Sequence, residues 1–175
     1  MPQQDVTLQQ EFRTAMSKLA AAVNIISTGG EAGTVGITAT AVCSVTDTPA
    51  TVLVCVNRNS ASNEIFKSNG RMCINVCASE HQEMSMHFAG MTGLSMEERF
   101  QLPQWTLNQH NVPILSGALA TLEGKIGVMQ ESGTHTVFFV EIETITTQNK
   151  DALIYFDRQF KHVLAEVAEQ EKAVA

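Results

Sequence analysis

The chain has 175 residues, of which 44% are hydrophobic and 17% charged, proportions typical of a single globular domain with a full core. Its formal net charge of −7 argues against binding to nucleic acid or to an anionic membrane surface, since both require a basic footprint. The N-terminal residues show neither the basic start nor the apolar run of a signal peptide. No apolar run approaches the roughly 20 residues of a membrane helix. We therefore expect one cytoplasmic domain over 1–175, with its core at about 12–160.

The first third of the chain predicts one helix and three strands. Apolar residues recur at helical spacing from Leu8 to Val23, which predicts an amphipathic helix over residues 7–21. Strand-like composition follows at Val23–Ser27, and the glycines of residues 29–33 indicate a turn. A long strand rich in hydroxyl groups is expected from Gly36, and Pro49 separates it from a strand at Thr51–Asn57.

The middle of the chain alternates short helices with one strand. Ser60–Ser68 predicts a helix with Ser60 as its N-cap, ended by Asn69 and Gly70. A strand is expected at Arg71–Cys77, and short helices at 80–89 and 95–100 are separated by glycines.

The last third of the chain is mostly β. Two long strands are expected at Leu115–Val128 and Thr134–Thr147, with a short strand at Ala152–Phe156. Phe160, Leu164 and Val167 share one helical stripe, so residues 161–175 are expected to form a terminal helix or tail. A mainly β chain with short helices favours a closed or split antiparallel barrel.

The segment GITATAVCSVTDTP, residues 36–49, differs from an ordinary core strand in its small side chains. A strand built only for a core carries Val, Ile or Leu on its inward face, whereas Thr38, Ala39 and Thr40 leave room for a flat molecule. The polar cluster of residues 58–63 then marks a helix start, where unpaired N–H groups suit a phosphate. A flat heteroaromatic with a phosphate tail fits both, and a flavin nucleotide is the natural candidate.

The four cysteines predict neither a metal site nor a disulfide framework. Cys43, Cys55, Cys73 and Cys77 lie in apolar strand-like runs, without a C-x-x-C pair or a histidine at ligand spacing. An even number is compatible with disulfides, but a chain of this length does not need them. Buried reduced thiols are the preferred interpretation.

Six motifs occur in one order between Phe12 and Phe160: GITATAVCSVTDTP, CVNRNSASN, NGRMCINV, HFAGMTGLSMEERF, GTHTVFFVEI and LIYFDRQF. Together they resemble the flavin reductase-like family of the FMN-binding split barrel. Within that family the chain is most similar to reductase components of two-component 4-hydroxyphenylacetate 3-monooxygenases. The resemblance implies an antiparallel Greek-key barrel that forms a homodimer, with the flavin near the subunit interface.

The resemblance also implies a set of flavin-binding residues that follow the chain from ring to phosphate. In that order they are Thr38, Ala39 and Thr40 beside the isoalloxazine, Cys43, Ser44 and Val45 as its next wall, Cys55, Val56 and Asn57 along the ring and ribityl chain, and Ser60, Ser62 and Asn63 at the phosphate. Each hydroxyl residue taken alone also fits a solvent-facing strand position. The third position of the hydroxyl motif is Thr40, whereas many members of the family have Asn there. Because Thr offers fewer hydrogen-bond partners than Asn, the choice between FMN and FAD stays open.

His135 is the residue to which the resemblance gives a catalytic role, because Gly133-Thr134-His135 matches the Gly-x-His motif that helps to place the nicotinamide. A hydrogen-bonded turn histidine is the alternative. Phe88 and Tyr155 are further cofactor-binding candidates, although such aromatics are more often part of the core.

The expected activity is reduction of FMN or FAD by NADH or NADPH, with the reduced flavin supplied to an oxygenase by diffusion or in a transient complex. Hydride transfer to a flavin needs alignment of the two rings and no acid–base residue. The alternatives are a reductase serving another monooxygenase or ferric reduction, and a flavin- or haem-binding barrel without turnover. The preference between NADH and NADPH stays open.

Overall fold

The computed structural model describes residues 3–165 and shows a mainly antiparallel β protein with short helices. The helices are α1 (Gln3–Ser17), α2 (Ser62–Asn69), α3 (Gln82–Phe88) and α4 (Met96–Phe100), with a 3-10 turn at Ser79–His81. The strands are β1 (Ala21–Ala22), β2 (Asn24–Thr28), β3 (Val35–Ala39), β4 (Val42–Asp47), β5 (Ala50–Asn57), β6 (Arg71–Val76), β7 (Trp105–Leu107), β8 (Pro113–Leu115), β9 (Ala120–Ser132), β10 (His135–Thr147), β11 (Ala152–Phe156) and β12 (Gln159–Val163).

One large sheet organises the molecule. Its seven strands run in the order β3-β2-β6-β9-β10-β5-β4, and each neighbouring pair is antiparallel. A three-stranded sheet, β1-β11-β12, and the hairpin β7-β8 complete the architecture. The predicted mainly β, antiparallel class is therefore confirmed. Among the described residues, no helix combines the length and hydrophobicity needed to cross a membrane.

The core lies on the inner face of the large sheet. Alternate side chains of β5 and β10 point inward and pack against Phe66 of α2. The fully buried members of this cluster include Val54, Val56, Phe138 and Val140. A second cluster joins β2 and β11 to the helical segment around Phe88. The side chains between these inward positions face outward, so only every second residue of β5 has its side chain on the outer face of the sheet.

Several expected boundaries are wrong for identifiable reasons. The hydroxyl-rich strand is two strands, β3 and β4, separated by a corner at Thr40–Ala41. Leu115 closes β8 and does not open the long strand, which begins at Ala120. The turn before β10 is confined to Gly133 and Thr134, where Gly133 adopts a left-handed φ of 54°.

The helix expected after Phe160 is the largest error within the described residues. Gln159–Val163 forms β12, which pairs with β11 through a tight turn at Asp157 and Arg158. Both turn residues have positive φ angles, a conformation usually signalled by Asn or Gly, so the hairpin had no sequence signature. Val167 and the remainder of the expected C-terminal helix lie outside the described residues.

The amphipathic helix starts four residues earlier than expected and ends at Ser17. Its predicted apolar stripe does not join the core, because Leu8, Phe12, Met16 and Leu19 are exposed. At α2, Ala61 occupies the N-cap position and Ser60 accepts a hydrogen bond from the Ser62 N–H at 3.3 Å, so the Ser60 N-cap is also wrong. Gly70, with φ of 66°, ends that helix as predicted.

His81 is buried as a neutral imidazole and predicts a pH-dependent stability. Its Nδ1 accepts from the Ala78 N–H at 3.1 Å, so Nε2 carries the proton and donates to the Ser116 carbonyl. Burial lowers the pKa of His81, an effect partly opposed by Glu80. The stabilising contribution is therefore complete above the unfolded-state pKa of about 6.5 and is lost as the pH falls through the lower folded-state value.

We expect melting temperature to fall from about pH 7 toward pH 5, and His81→Asn, which retains an acceptor near the Nδ1 position, to flatten that dependence. Thermal unfolding followed at several pH values measures it. His110→Asn, on the exposed β7–β8 turn, is the matched control and should leave the slope unchanged. An equal slope in wild type and His81→Asn would contradict the assignment.

Candidate functional site

A groove of about 180 Å³ lies at the end of β3. Its floor is formed by Thr38, Ala39 and Thr40, and the β11–β12 hairpin supplies Tyr155 and Phe160 as a second wall. Their rings meet edge to face with centroids 5.3 Å apart. Ala89 and Met91, which follow α3, close the third side. The structure thus brings together Tyr155 and the three residues predicted to lie beside a flat ring.

The hydroxyl and backbone groups of β3 are fixed by their neighbours. Thr38 Oγ1 donates to the Ser85 carbonyl at 2.6 Å, so this hydroxyl can act toward a ligand only as an acceptor. The Ala39 carbonyl accepts from Asn24 Nδ2 at 3.2 Å. Thr40 is exposed at the corner, and its carbonyl accepts from the Val42 N–H. These bonds hold the floor of the groove in one position.

The corner after Thr40 connects the groove to the outer face of β5. The Cys55 N–H donates to the Ala41 carbonyl at 3.1 Å, which places Cys55 directly beside the corner. Cys55 pairs in register with Val137 of β10, and its side chain is half-buried on the outer face. Burial raises the pKa of the Cys55 thiol, which keeps it protonated and agrees with a lining role without redox chemistry.

Two predicted ligands have side chains that point away from this surface. Val56 follows Cys55 and is therefore directed into the core, where only 1% of its surface is exposed. Phe88 is buried between Phe100 and Trp105, with ring centroids 4.9 Å and 5.2 Å away. Neither side chain lines the groove, and both are packed in the core.

The residues predicted as the next wall lie on β4 at the sheet edge. Cys43, Ser44 and Val45 are all exposed, and Cys43 stands opposite Leu53 of β5. The structure describes all four cysteines as free thiols, but Cys43 is exposed, so the expectation that all are buried is wrong for this residue.

The predicted phosphate end lies where β5 passes into α2. Asn57 is exposed and its Oδ1 accepts from the Asn59 N–H, whereas Ser62 and Asn63 are buried. The Asn63 amide donates to the Val56 carbonyl and to Thr136 Oγ1, both at 3.2 Å, and more weakly to the Asn57 carbonyl. Asn63 therefore links α2 to β5 and β10. Of the residues predicted at the phosphate end, the exposed Asn57 and the half-buried Ser60 are the most accessible.

His135 opens β10 directly opposite Asn57 of β5. Its imidazole is exposed, and Nδ1 shares a hydrogen bond with Thr134 Oγ1 at 2.9 Å. Among residues 3–165 no hydrogen bond is found to Nε2, so this nitrogen is available to a ligand. Cys55, Asn57 and His135 thus share the outer face of β5 and β10, and Cys55 adjoins the corner that follows the groove; we call this series of neighbouring residues the strip.

A charged cluster that the sequence analysis did not weigh adjoins His135. Arg58 and Lys67 both contact the Glu131 carboxylate, and Arg58 Nη1 also donates to the Gly133 carbonyl at 3.3 Å. The hydrogen bond from Lys67 lowers the pKa of Glu131. A polar cavity of about 380 Å³ lies among these residues. Arg58 lies within the CVNRNSASN motif, so its positive charge was the sequence feature that could have predicted this cluster.

Comparison with known proteins identifies the family to which the chain is similar. The family model described as "Flavin reductase like domain" matches residues 16–164. The 4-hydroxyphenylacetate 3-monooxygenase reductase component of Salmonella typhimurium is 56% identical over 157 residues, covering 89% of this chain and 92% of that protein. An FMN reductase (NADH) of Serratia proteamaculans is 45% identical over 158 residues, covering 89% of each.

A solved structure agrees on the fold. BorF, the flavin reductase component of a bacterial two-component tryptophan halogenase, superposes with a TM-score of 0.84 at 25% identity and covers 90% of this chain and 99% of its own. The mainly antiparallel sheet therefore belongs to the split-barrel architecture that the sequence resemblance implied. With this match and those of its relatives, the chain belongs to the flavin reductase like domain family.

Proposed function

We propose that this protein is an NADH-dependent flavin reductase that supplies reduced flavin to a partner oxygenase. The observation that carries the proposal is the strip of neighbouring residues that leads from the groove at Thr38–Thr40 to His135. One end of the strip offers a flat, partly apolar wall for a tricyclic ring, and the other offers a free imidazole nitrogen beside polar groups.

The chain's residues position the reactants in this proposal. When bound, the flavin accepts a hydride from the reduced nicotinamide, and the protein needs to supply no nucleophile, acid or base. The fixed carbonyls of Ala39 and Thr40 and the hydroxyl of Thr38 orient the polar edge of the ring, and Tyr155 limits access of water from one side. His135 Nε2 holds a polar group of the nicotinamide nucleotide.

The phosphate is assigned to the surface formed by Asn57, Ser60 and the start of α2. The N–H groups of Ser62 and Asn63 already donate to the side chain and carbonyl of Ser60, so the attraction at the start of α2 comes from the positive end of the helix dipole. Arg58 and Lys67 line the polar cavity beside this position, and both form ion pairs with Glu131. Both the flavin phosphate and the pyrophosphate of a nicotinamide nucleotide would gain from these cations.

The names of the relatives support the finer assignments of partner and cofactors. The Salmonella relative is named as the reductase component of 4-hydroxyphenylacetate 3-monooxygenase, so we propose that oxygenase as the partner. The Serratia relative is named an FMN reductase (NADH), which favours FMN and NADH over FAD and NADPH. Released reduced flavin can reach the oxygenase by diffusion, so a stable complex is not required.

The test mixes purified protein with NADH and either FMN or FAD and follows loss of the nicotinamide absorbance. Flavin-dependent oxidation of NADH, with FMN used more efficiently than FAD, is the expected result. Flavin binding without NADH or NADPH oxidation would refute the reductase and favour a barrel that binds flavin without turnover.

His135→Ala should weaken use of the nicotinamide and spare the flavin. We expect KM for NADH to rise about tenfold, the effect of losing one hydrogen bond to a charged or polar ligand group, while KM for flavin changes less than about twofold. Steady-state kinetics with each substrate varied in turn measures the two constants. His110→Ala provides a histidine control away from the strip. Unchanged NADH kinetics in His135→Ala would remove this residue from the site.

We also propose that the chain forms a homodimer through the outer face of the large sheet. This face carries apolar side chains where a solvated sheet would carry polar ones, namely Leu53, Cys55, Val128, Val137 and Phe139. Val128 is 65% exposed, and a monomer would leave this apolar surface in contact with water. Because Cys55 and Val137 also border the proposed flavin strip, the partner subunit would lie close to the ring. Sedimentation equilibrium at several concentrations distinguishes dimer from monomer.

A further inference from the structure

A second concave site, here called the α4 pocket, lies at the opposite end of β3 from the flavin groove. Its volume is about 500 Å³, and none of its lining residues belongs to the groove. Helix α4 contributes Met96 and Phe100 to its walls, and β7 contributes Trp105 and Leu107. We propose that the α4 pocket binds a small, uncharged aromatic compound that carries a hydroxyl group, such as a simple phenol.

The walls of the α4 pocket favour an aromatic ligand. Phe100 and Trp105 stand edge to face with ring centroids 5.0 Å apart, and both make the same kind of contact with the buried Phe88. This mutual packing fixes the two wall rings before any ligand arrives. Aromatic rings attract a further ring in tilted or offset geometry, and the volume lies within the range typical of small-molecule pockets.

Packing behind these rings also restricts their movement. A Cβ added at Gly36 of β3 would lie 2.8 Å from the Phe88 ring and 3.1 Å from Phe100, so the strand backbone is in close contact with both. Arg99, from the same turn of α4, places its guanidinium 5.9 Å from the centre of the Phe88 ring. The aromatic wall of the α4 pocket is therefore a fixed surface.

The rim of the α4 pocket selects for a neutral hydrogen-bond donor. Glu97 and Gln101 lie there one helical turn apart, and Gln101 Nε2 donates to Glu97 Oε1 at 3.3 Å. A carboxylate has further acceptor capacity, so Glu97 can accept from a ligand hydroxyl. The same negative charge disfavours a ligand with its own carboxylate. A phenol meets both requirements, whereas benzoate meets neither.

Trp105 is the single tryptophan of the chain, so its fluorescence reports on the α4 pocket alone. The experiment titrates phenol, toluene and benzoate into the flavin-free protein with excitation selective for tryptophan. We expect phenol to change the Trp105 emission saturably with a Kd of about 1 mM or tighter, and benzoate to bind at least about tenfold more weakly. Toluene, which lacks the donor, should lie between them.

A pair of matched variants locates the binding. Gln101→Phe places an aromatic side chain into the α4 pocket and should weaken phenol binding at least about tenfold. Gln109→Phe makes the same change on the exposed β7–β8 turn and should bind phenol as wild type does. Circular dichroism checks that both variants are folded.

Absence of a saturable response to phenol, equal affinity for benzoate, or wild-type affinity in Gln101→Phe would each overturn the proposal. So would Trp105 emission that depends on protein concentration and not on phenol, because that result assigns the α4 pocket to a second copy of the chain. The titration contains neither flavin nor NADH, so its outcome is independent of whether the proposed reductase function holds.

Discussion

Replacing Thr40 by Trp is expected to abolish flavin use while leaving the fold intact. Thr40 is exposed at the corner between β3 and β4, so a larger side chain meets no core packing there. It also lines the groove, whose volume of about 180 Å³ an indole would largely occupy. We expect KM for flavin to rise at least about 100-fold, equivalent to roughly 2.8 kcal/mol of lost binding.

Thr147→Trp, at the exposed end of β10, is the control for surface hydrophobicity. Flavin titration by fluorescence and NADH oxidation at saturating flavin separate loss of binding from loss of turnover. The melting temperatures of both variants should stay near that of wild type. If Thr40→Trp retained wild-type affinity for flavin, the ring could not occupy the groove at the end of β3, and the proposed strip would lose its first half.

Asn63→Ala should produce the largest loss of stability near the site. The amide of Asn63 is fully buried and satisfies the Val56 carbonyl and the Thr136 hydroxyl. Removing it takes away the side-chain donor that both buried oxygens share, for which about 3 kcal/mol of unfolding free energy is expected. Because the same amide fastens α2 to β5, flavin affinity should fall as well, through displacement of the phosphate-binding surface.

Urea unfolding measures the stability effect, with Asn59→Ala as the matched control. Asn59 is exposed in the same loop, and its truncation should cost no more than about 0.5 kcal/mol. Thr136→Val removes one partner of the amide and should give a smaller loss than Asn63→Ala. Equal stability of Asn63→Ala and Asn59→Ala would show that the amide does not hold this corner together.

The sequence predicted the class of fold well because the signals involved are local. The strands expected at Thr51–Asn57 and Thr134–Thr147 and the Gly70 end of α2 all depend on residues close together in the chain. The pairing of β10 with β5 depends on contacts between distant residues, and composition does not encode it. The β11–β12 hairpin was missed because Asp157 and Arg158 adopt positive φ without glycine or asparagine.

The candidate site was predicted as a set of residues adjacent in the sequence. The pleat of β5 directs alternate members of that set to opposite faces of the sheet. Cys55 faces outward and Val56 inward, so adjacent residues in the motif cannot both present side chains to one ligand. Asn63 was predicted to hold phosphate, yet its amide is engaged by the backbone of β5. Recognition of the motif thus selects a stretch of chain, whereas burial determines which of its side chains reach the surface.

The central claim is that one strip of the protein holds a flavin and a nicotinamide ring face to face. A crystal structure with oxidised FMN and NAD⁺, which cannot react with each other, tests it most directly. The account predicts the flavin ring against Thr38–Thr40 and Tyr155, its phosphate near Ser60, and the nicotinamide between that ring and His135. Either ring bound elsewhere, or the groove filled by protein side chains in the presence of both ligands, would contradict it.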